Sequence, residues 1–190
     1  MIDLGFNDSD STSSWISYKP QKDEWQYSEG EVDFKHFVLD IDSFKTGWGK
    51  IQRGAATEWS WDDDINLPKE NPATGTNDEE NWTRGFYVEL YTEKEGSMFL
   101  ATTTMGTKRG FNVLWTEVEK AKADNPGLLP VVEYEGSESA FEGKSRIPGF
   151  RIRKWTERPA EFEKIKSPEV SSNIPVEDSP QTQTEDDIPF

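Results

Sequence analysis

Arg84-Gly85-Phe86-Tyr87-Val88-Glu89-Leu90-Tyr91-Thr92-Glu93, followed after Lys94-Glu95-Gly96 by Ser97-Met98-Phe99-Leu100-Ala101-Thr102-Thr103-Thr104, is the run that decides the fold class. Both arms are rich in the aromatic and aliphatic side chains that suit a pleated, half-buried surface. The short Gly-containing turn between them folds the chain back, so the spacing predicts a β-hairpin. Successive strand residues face opposite ways, so Phe86 and Tyr87 cannot both present a ring on the same side.

The flanking sequence repeats the pattern in weaker form. In 33–44, Phe37, Leu39 and Ile41 share one face and Asp40 and Asp42 the other, as in a half-buried strand. Gly47-Trp48-Gly49 is expected to break or bulge that strand. Ile51 and Thr57-Glu58-Trp59-Ser60-Trp61 read as short strands, with Trp59 and Trp61 on one side. Residues 62–81 carry Asp62-Asp63-Asp64, Pro68, Asn71-Pro72, Gly75 and Asn77-Asp78-Glu79-Glu80, a composition that blocks regular structure and predicts a long loop. Beyond the hairpin, Gly106-Thr107-Lys108-Arg109-Gly110 reads as a mobile loop. Residues 111–123 hold the one helical pattern (Val113 or Leu114, Val118, Ala121), stopped by Asn125-Pro126-Gly127. Strands follow over 130–135 and 146–156, with a loop over 136–143 and a stop at Arg158-Pro159.

Residues 1–30 mix Ser and Asp with Trp15, Tyr18, Trp25 and Tyr27 at a spacing that fits neither a helix stripe nor a long strand. They read as an irregular arm packed on the body. Residues 167–190 contain too little apolar surface to order a backbone. The domain organisation expected is therefore an arm over 1–30, a folded domain over 31–166, and a disordered acidic tail over 167–190. Short strands with Gly-containing turns favour a barrel or sandwich. The fold expected is mainly β: an OB-fold-like barrel of five to six strands with one short helix, an architecture often used to bind oligonucleotides.

Charge sharpens the expectation. The 190 residues carry a formal net charge of −16, which argues against indiscriminate coating of nucleic acid. Yet 144–158 holds six bases and one acid, while 167–190 holds six acids and no base. There is no Cys and a single His, His36, which excludes thiolate chemistry and His-pair metal motifs. No apolar run approaches the ~20 residues needed to span a bilayer, and the first residues lack a basic segment leading into an apolar core. A soluble, cytoplasmic protein without metal or cofactor is expected.

Binding an unpaired strand without reading its sequence requires cations along the phosphates and flat rings under the bases. By strand alternation, Arg151, Arg153 and Trp155 face one way and Phe150 and Ile152 the other, which offers both on the last strand. Lys144, Arg146 and Lys154 add charge nearby. Trp48, Lys50, Arg53, Trp59 and Trp61 form a second group; the glycines around Trp48 leave its ring uncovered. Arg84 and Tyr87 open the hairpin, and Lys108 and Arg109 look like phosphate contacts. The plain alternative is an outer face of solvated Arg with Trp155 lying flat on a neighbour, and half or more of the second group's tryptophans in the core.

The end of the chain, Glu185-Asp186-Asp187-Ile188-Pro189-Phe190, resembles the C-terminal tip of bacterial and bacteriophage single-stranded DNA-binding proteins. The body is similar, over about 37–160, to the bacteriophage members. The similarity lies in Lys45-Thr46-Gly47-Trp48-Gly49, Arg84-Gly85-Phe86, Leu129-Pro130-Val131-Val132-Glu133-Tyr134, and Ile147-Pro148-Gly149-Phe150-Arg151-Ile152 with Trp155 and Arg158-Pro159. The resemblance implies an OB-fold protein that coats single-stranded DNA in replication, recombination or repair. It also implies that Asp186, Asp187, Ile188, Pro189 and Phe190 recruit partner proteins. Homo-oligomerisation is left open, and no catalytic role is expected.

Two rival readings use the acids instead. In one, the negative surface makes the chain an adaptor or DNA mimic whose partner is a DNA-processing enzyme. In the other, Asp62-Asp63-Asp64 and Asp78-Glu79-Glu80 hold magnesium for a nuclease. The second is disfavoured, because a flexible loop would hold ligand geometry poorly. Gly106 to Gly110 lacks the spacing of a nucleotide-binding phosphate loop.

Overall fold

The structure is a computed structural model that describes residues 14–27, 30–31, 35–50, 57–75, 81–140 and 145–163. Among them nine strands form one sheet: β1 (Ser14–Lys19), β2 (Glu24–Tyr27), β3 (Gly30–Glu31), β4 (His36–Lys50), β5 (Glu58–Trp61), β6 (Trp82–Thr92), β7 (Gly96–Thr102), β8 (Leu129–Ala140) and β9 (Ser145–Thr156). One α-helix, α1 (Met105–Ala121), runs between β7 and β8. The strand order is β3-β2-β1-β7-β6-β4-β8-β9, with β5 paired to the far end of β4, and the sheet curls into a half-barrel. No helix among the described residues is long and apolar enough to cross a membrane.

The expected hairpin forms as β6–β7 and lies at the centre of this order. Its inward residues Val88, Leu90, Met98 and Leu100 are 0 % exposed. They meet Phe37 and Leu39 of β4 and Phe111, Leu114 and Val118 of α1 in one core. Each such aliphatic side chain contributes roughly 1.5–3 kcal/mol on burial. Phe86 points into this core and Tyr87 to the opposite face.

The bend in the sheet has a local cause. Asp40 pairs with Glu89 and Lys45 with Tyr87, so residues 41–44 of β4 lie opposite Val88 alone. Such an insertion bends the strand that carries it. It is held by Ser43, whose hydroxyl donates to the Asp40 carbonyl (2.8 Å) and accepts the Glu89 N–H (2.8 Å).

The two ends of the curl meet through side chains. Asp23, in the β1–β2 turn at φ +59°, accepts hydrogen bonds on Oδ1 from Tyr18 (2.7 Å), Tyr134 (2.9 Å) and Ser137 (2.5 Å). Its Oδ2 lies 3.2 Å from the Arg146 guanidinium. Arg146 in turn donates to the Ser137 hydroxyl and carbonyl. Trp25 of β2 packs edge-on against Tyr134 of β8 at 5.9 Å. The seam therefore joins β1 and β2 to β8 and β9 without a backbone ladder.

Several expectations are corrected. The described part of the arm is not irregular: β1 and β2 pair with each other, and β1 runs parallel to β7. Their inward residues Ile16, Tyr18 and Trp25 are buried, but each strand is too short for its alternation to stand out in the sequence. The strand count rises to nine for the same reason. Gly47-Trp48-Gly49 does not end β4, which continues to Lys50. Residues 136–140 extend β8 through a register shift after Tyr134. Gly106 and Gly110 lie inside α1, where they let the helix backbone approach β9. A Cβ on either would overlap the carbonyl oxygen of Arg146 or Pro148. Residues 51–56, 76–80, 141–144 and 164–190 lie outside the described residues, and Arg53, Lys144 and the Asp186–Phe190 tip fall there.

Two expected outcomes follow from these contacts. Asp23→Ala removes the acceptor of three hydroxyls and should cost at least ~2 kcal/mol in denaturant unfolding, with Asp23→Asn losing less. Partial burial raises the Asp23 pKa, but the hydroxyls of Ser137, Tyr18 and Tyr134 and the Arg146 charge outweigh it and hold the carboxyl below its ordinary 3.8. Its contribution should be complete at neutral pH and lost as the pH falls below about 4 through the folded-state value. Gly106→Ala should push α1 off β9 and cost about 1–3 kcal/mol by overpacking, whereas Asn112→Ala on the exposed face of α1 should be near neutral in the same assay.

Candidate functional site

Alternation along β6 sorts the sheet into two faces. Phe86, Val88 and Leu90 point to the core; Gly85, Tyr87 and Glu89 point outward. On the outward face, register places Lys45 beside Tyr87, Phe99 beside Glu89, and Trp15 beside Phe99. Trp61 lies opposite Gly47, and Trp59 opposite Gly49.

These residues form a continuous row of rings across five strands. Trp59 and Trp61 stack with centroids 4.4 Å apart and planes 7° apart. Trp61 meets Tyr87 edge-on at 5.9 Å, and Tyr87 stacks on Phe99 at 5.8 Å. Trp15 closes the row against Phe99 at 5.6 Å. Tyr87 and Phe99 are a buried floor, while Trp15 is 53 % exposed and Trp59 and Trp61 are partly buried.

Glycine makes the row possible. A Cβ at Gly85 would come within 2.8 Å of the Trp59 ring, and one at Gly47 within 2.8 Å of Trp61. The indoles take up the space where those side chains would otherwise stand.

Two cations border the row. Lys45 Nζ sits 5.8 Å from the Tyr87 ring centroid. Lys19 lines a groove beside Trp59 with Ser17, Thr57, Thr103 and Thr104. Among the described residues neither lysine has a carboxylate within 4.0 Å. The carboxylates beneath are withdrawn: Asp40 and Glu89 are each 4 % exposed. Arg158 donates to both oxygens of Asp40 and to the exposed Asp42. Burial is the main influence raising the Glu89 pKa, with the Tyr87 hydrogen bond and the Lys45 and Arg158 charges opposing it.

Of the described residues picked out in the sequence, Trp59, Trp61 and Tyr87 belong to this row; the other described ones are elsewhere. Trp48 faces the other side, where its Nε1 donates to the Lys69 carbonyl (2.9 Å) and Arg84 lies over its ring at 5.3 Å. Lys50 lies over Trp82 on that same side. Arg84 grips Asp62 through both guanidinium nitrogens, and Asp62 also accepts from Thr46 and the Lys69 N–H. Those contacts outweigh burial and hold its carboxyl far below the carboxylate range. The first acid of the supposed magnesium loop is thus an anchor for residues 62–69. Among the described residues no cluster of three or more His, Asp or Glu suits a metal ion. Lys108, on α1, donates to the Arg84 carbonyl (2.7 Å), and burial lowers its pKa, with the Arg84 charge adding to the effect. Arg109 is on the same helix.

The last strand does not present Arg151, Arg153 and Trp155 together. A register shift between Val131 and Val132 inserts Arg153, so Trp155 pairs with Pro130 and packs against the core alongside Phe150 and Ile152. Arg151 pairs with Glu135 at 2.7 Å, and Arg153 with Glu133. Arg146 is taken up by the seam and Lys154 stays exposed.

Lys45, Phe99 and Trp15 are absent from the sequence-based candidates. Trp15 comes from the short parallel strand, and only the pairing of β1 with β7 brings it to Phe99. No protein-family model, curated protein or solved structure matches this chain. Indoles stacked this closely should give an exciton-coupled circular-dichroism band. Trp59→Phe should abolish the band with the fold retained, and Gly85→Ala should weaken it by displacing the ring.

Proposed function

We propose that this chain binds single-stranded DNA without reading its sequence, as an OB-fold-like protein of replication, recombination or repair. The observation that carries this reading is the row Trp59-Trp61-Tyr87-Phe99-Trp15 on the outward face of the sheet, with Lys19 and Lys45 at its borders. Every base has a flat face, so partly exposed indoles favour any sequence whose bases are unstacked, and adjacent cations take the phosphates. A duplex hides those base faces within its own stack. The protein's overall negative charge keeps long-range attraction weak, so affinity should rest on stacking more than on counterion release. On this proposal the acidic end, Asp186 to Phe190, serves partner proteins by offering an apolar tip among carboxylates.

Quenching of Trp fluorescence by oligo-dT is the direct measurement. Trp59→Ala and Trp61→Ala should each weaken binding by about 1–3 kcal/mol, roughly 5- to 150-fold, at every salt concentration. Duplex of equal length should bind far more weakly. Equal affinity for duplex, or no loss in either variant, would sink the proposal. Binding of a DNA-processing enzyme in place of DNA would favour the adaptor reading.

A further inference from the structure

The outward face continues past the row. Four residues along β6 from Tyr87, about 13 Å at a ~3.3 Å rise, Tyr91 stands beside Val38 of β4, which stands beside Val131 of β8 and then Lys154 of β9. These side chains form one side of an open cleft of about 620 Å³ whose rim carries Lys35, His36 and Lys94 as well as Lys154. Lys94 pairs with neighbouring Glu95 at 3.0 Å, and His36 Nε2 lies 3.7 Å from Glu133, which Arg153 already holds. Among the described residues Glu93 is the one carboxylate lining the cleft, and the charge of Glu161 also reaches Tyr91. Among the described residues, neither Lys35 nor Lys154 has a carboxylate within 4.0 Å, and both are exposed. The cleft thus combines an apolar, ring-bearing floor with two unneutralised ammonium groups.

We infer that this cleft is a second subsite for the same single strand. A phosphate sits between Lys35 and Lys154, and its nucleoside lies over Tyr91 and Val38. The inference rests on the proposed function and adds to it a direction for the strand, from the indole row toward the β6–β7 turn. An acidic peptide would satisfy the same cations, but Tyr91 stands on the same side of β6 as Tyr87 of the indole row, which favours the strand. Between the two subsites, residues 157–163 cross the sheet, with Arg158 on Asp40 and Asp42 and Phe162 against Tyr91 at 6.0 Å. Asp40 and Glu89 are buried there and Arg158 holds Asp40 and Asp42, so the acids a strand passes on this crossing are the exposed Glu157 and Glu161.

The test uses the full chain, oligo-dT of increasing length, and the double variant Lys35→Ala/Lys154→Ala. Lys120→Ala/Lys122→Ala, an equal charge change on and just after α1, serves as control. In the wild type, affinity should step up once the oligonucleotide spans both subsites; the cleft variant should lose that step and bind short oligonucleotides normally. Loss of that one phosphate contact should flatten the salt dependence by about 0.7 in log K against log salt, and the control should change it much less. An unchanged length step and slope, with Trp59→Ala still impaired, overturns the cleft and leaves the indole row standing. If the cleft variant binds DNA normally but loses binding of the peptide Glu-Asp-Asp-Ile-Pro-Phe, the cleft is a peptide site and the inference is wrong. If the wild type binds no single strand at any length, this inference falls together with the proposed function.

Discussion

Asp23 is the constraint on which the rest of the arrangement depends. A sheet of this order could lie open, with β1 and β2 far from β8 and β9. One carboxylate that accepts from Tyr18, Tyr134 and Ser137 and faces Arg146 draws the two ends together. The turn that presents it needs a residue tolerant of positive φ, and Asp meets both demands. Once the ends meet, Trp25, Tyr134 and Phe150 fill the space behind the seam. Holding β1 in place also keeps Trp15 against Phe99 on the opposite face. The seam and the ring row are thus two sides of one short strand.

The parts of the fold legible in the sequence are those with long, uninterrupted alternation. The β6–β7 hairpin, the inward Phe37, Leu39 and Ile41, and the second half of α1 all fall there. What was not legible depends on partners distant in sequence. Gly106 and Gly110 punctuate a loop when read locally, yet they mark where a helix touches a strand some forty residues later. Asp62 looks like a member of an acidic run until Arg84 is found beside it.

The candidate site shows the same division. Trp59 and Trp61 could be placed on one side from their spacing, and Phe86 and Tyr87 on opposite sides. The last strand misled because a single inserted residue, Arg153, reverses the alternation beyond it and turns Trp155 toward the core. Its arginines are answered by Glu133 and Glu135 on β8, and no one-dimensional count of charge reveals such cross-strand pairing. In the sequence the flanking glycines leave Trp48 looking uncovered, but those glycines make room for Trp59 and Trp61 on the other face.

The contact between indole and glycine backbone also bears on entropy. Trp59 rests against Gly49 and Gly85 and stacks on Trp61, so its rotamer is already selected when the chain folds. Immobilising a side chain of this kind during association ordinarily costs about 0.5–1.5 kcal/mol. Here most of that ordering has taken place beforehand, and a flat ligand would meet a surface with little freedom left to surrender.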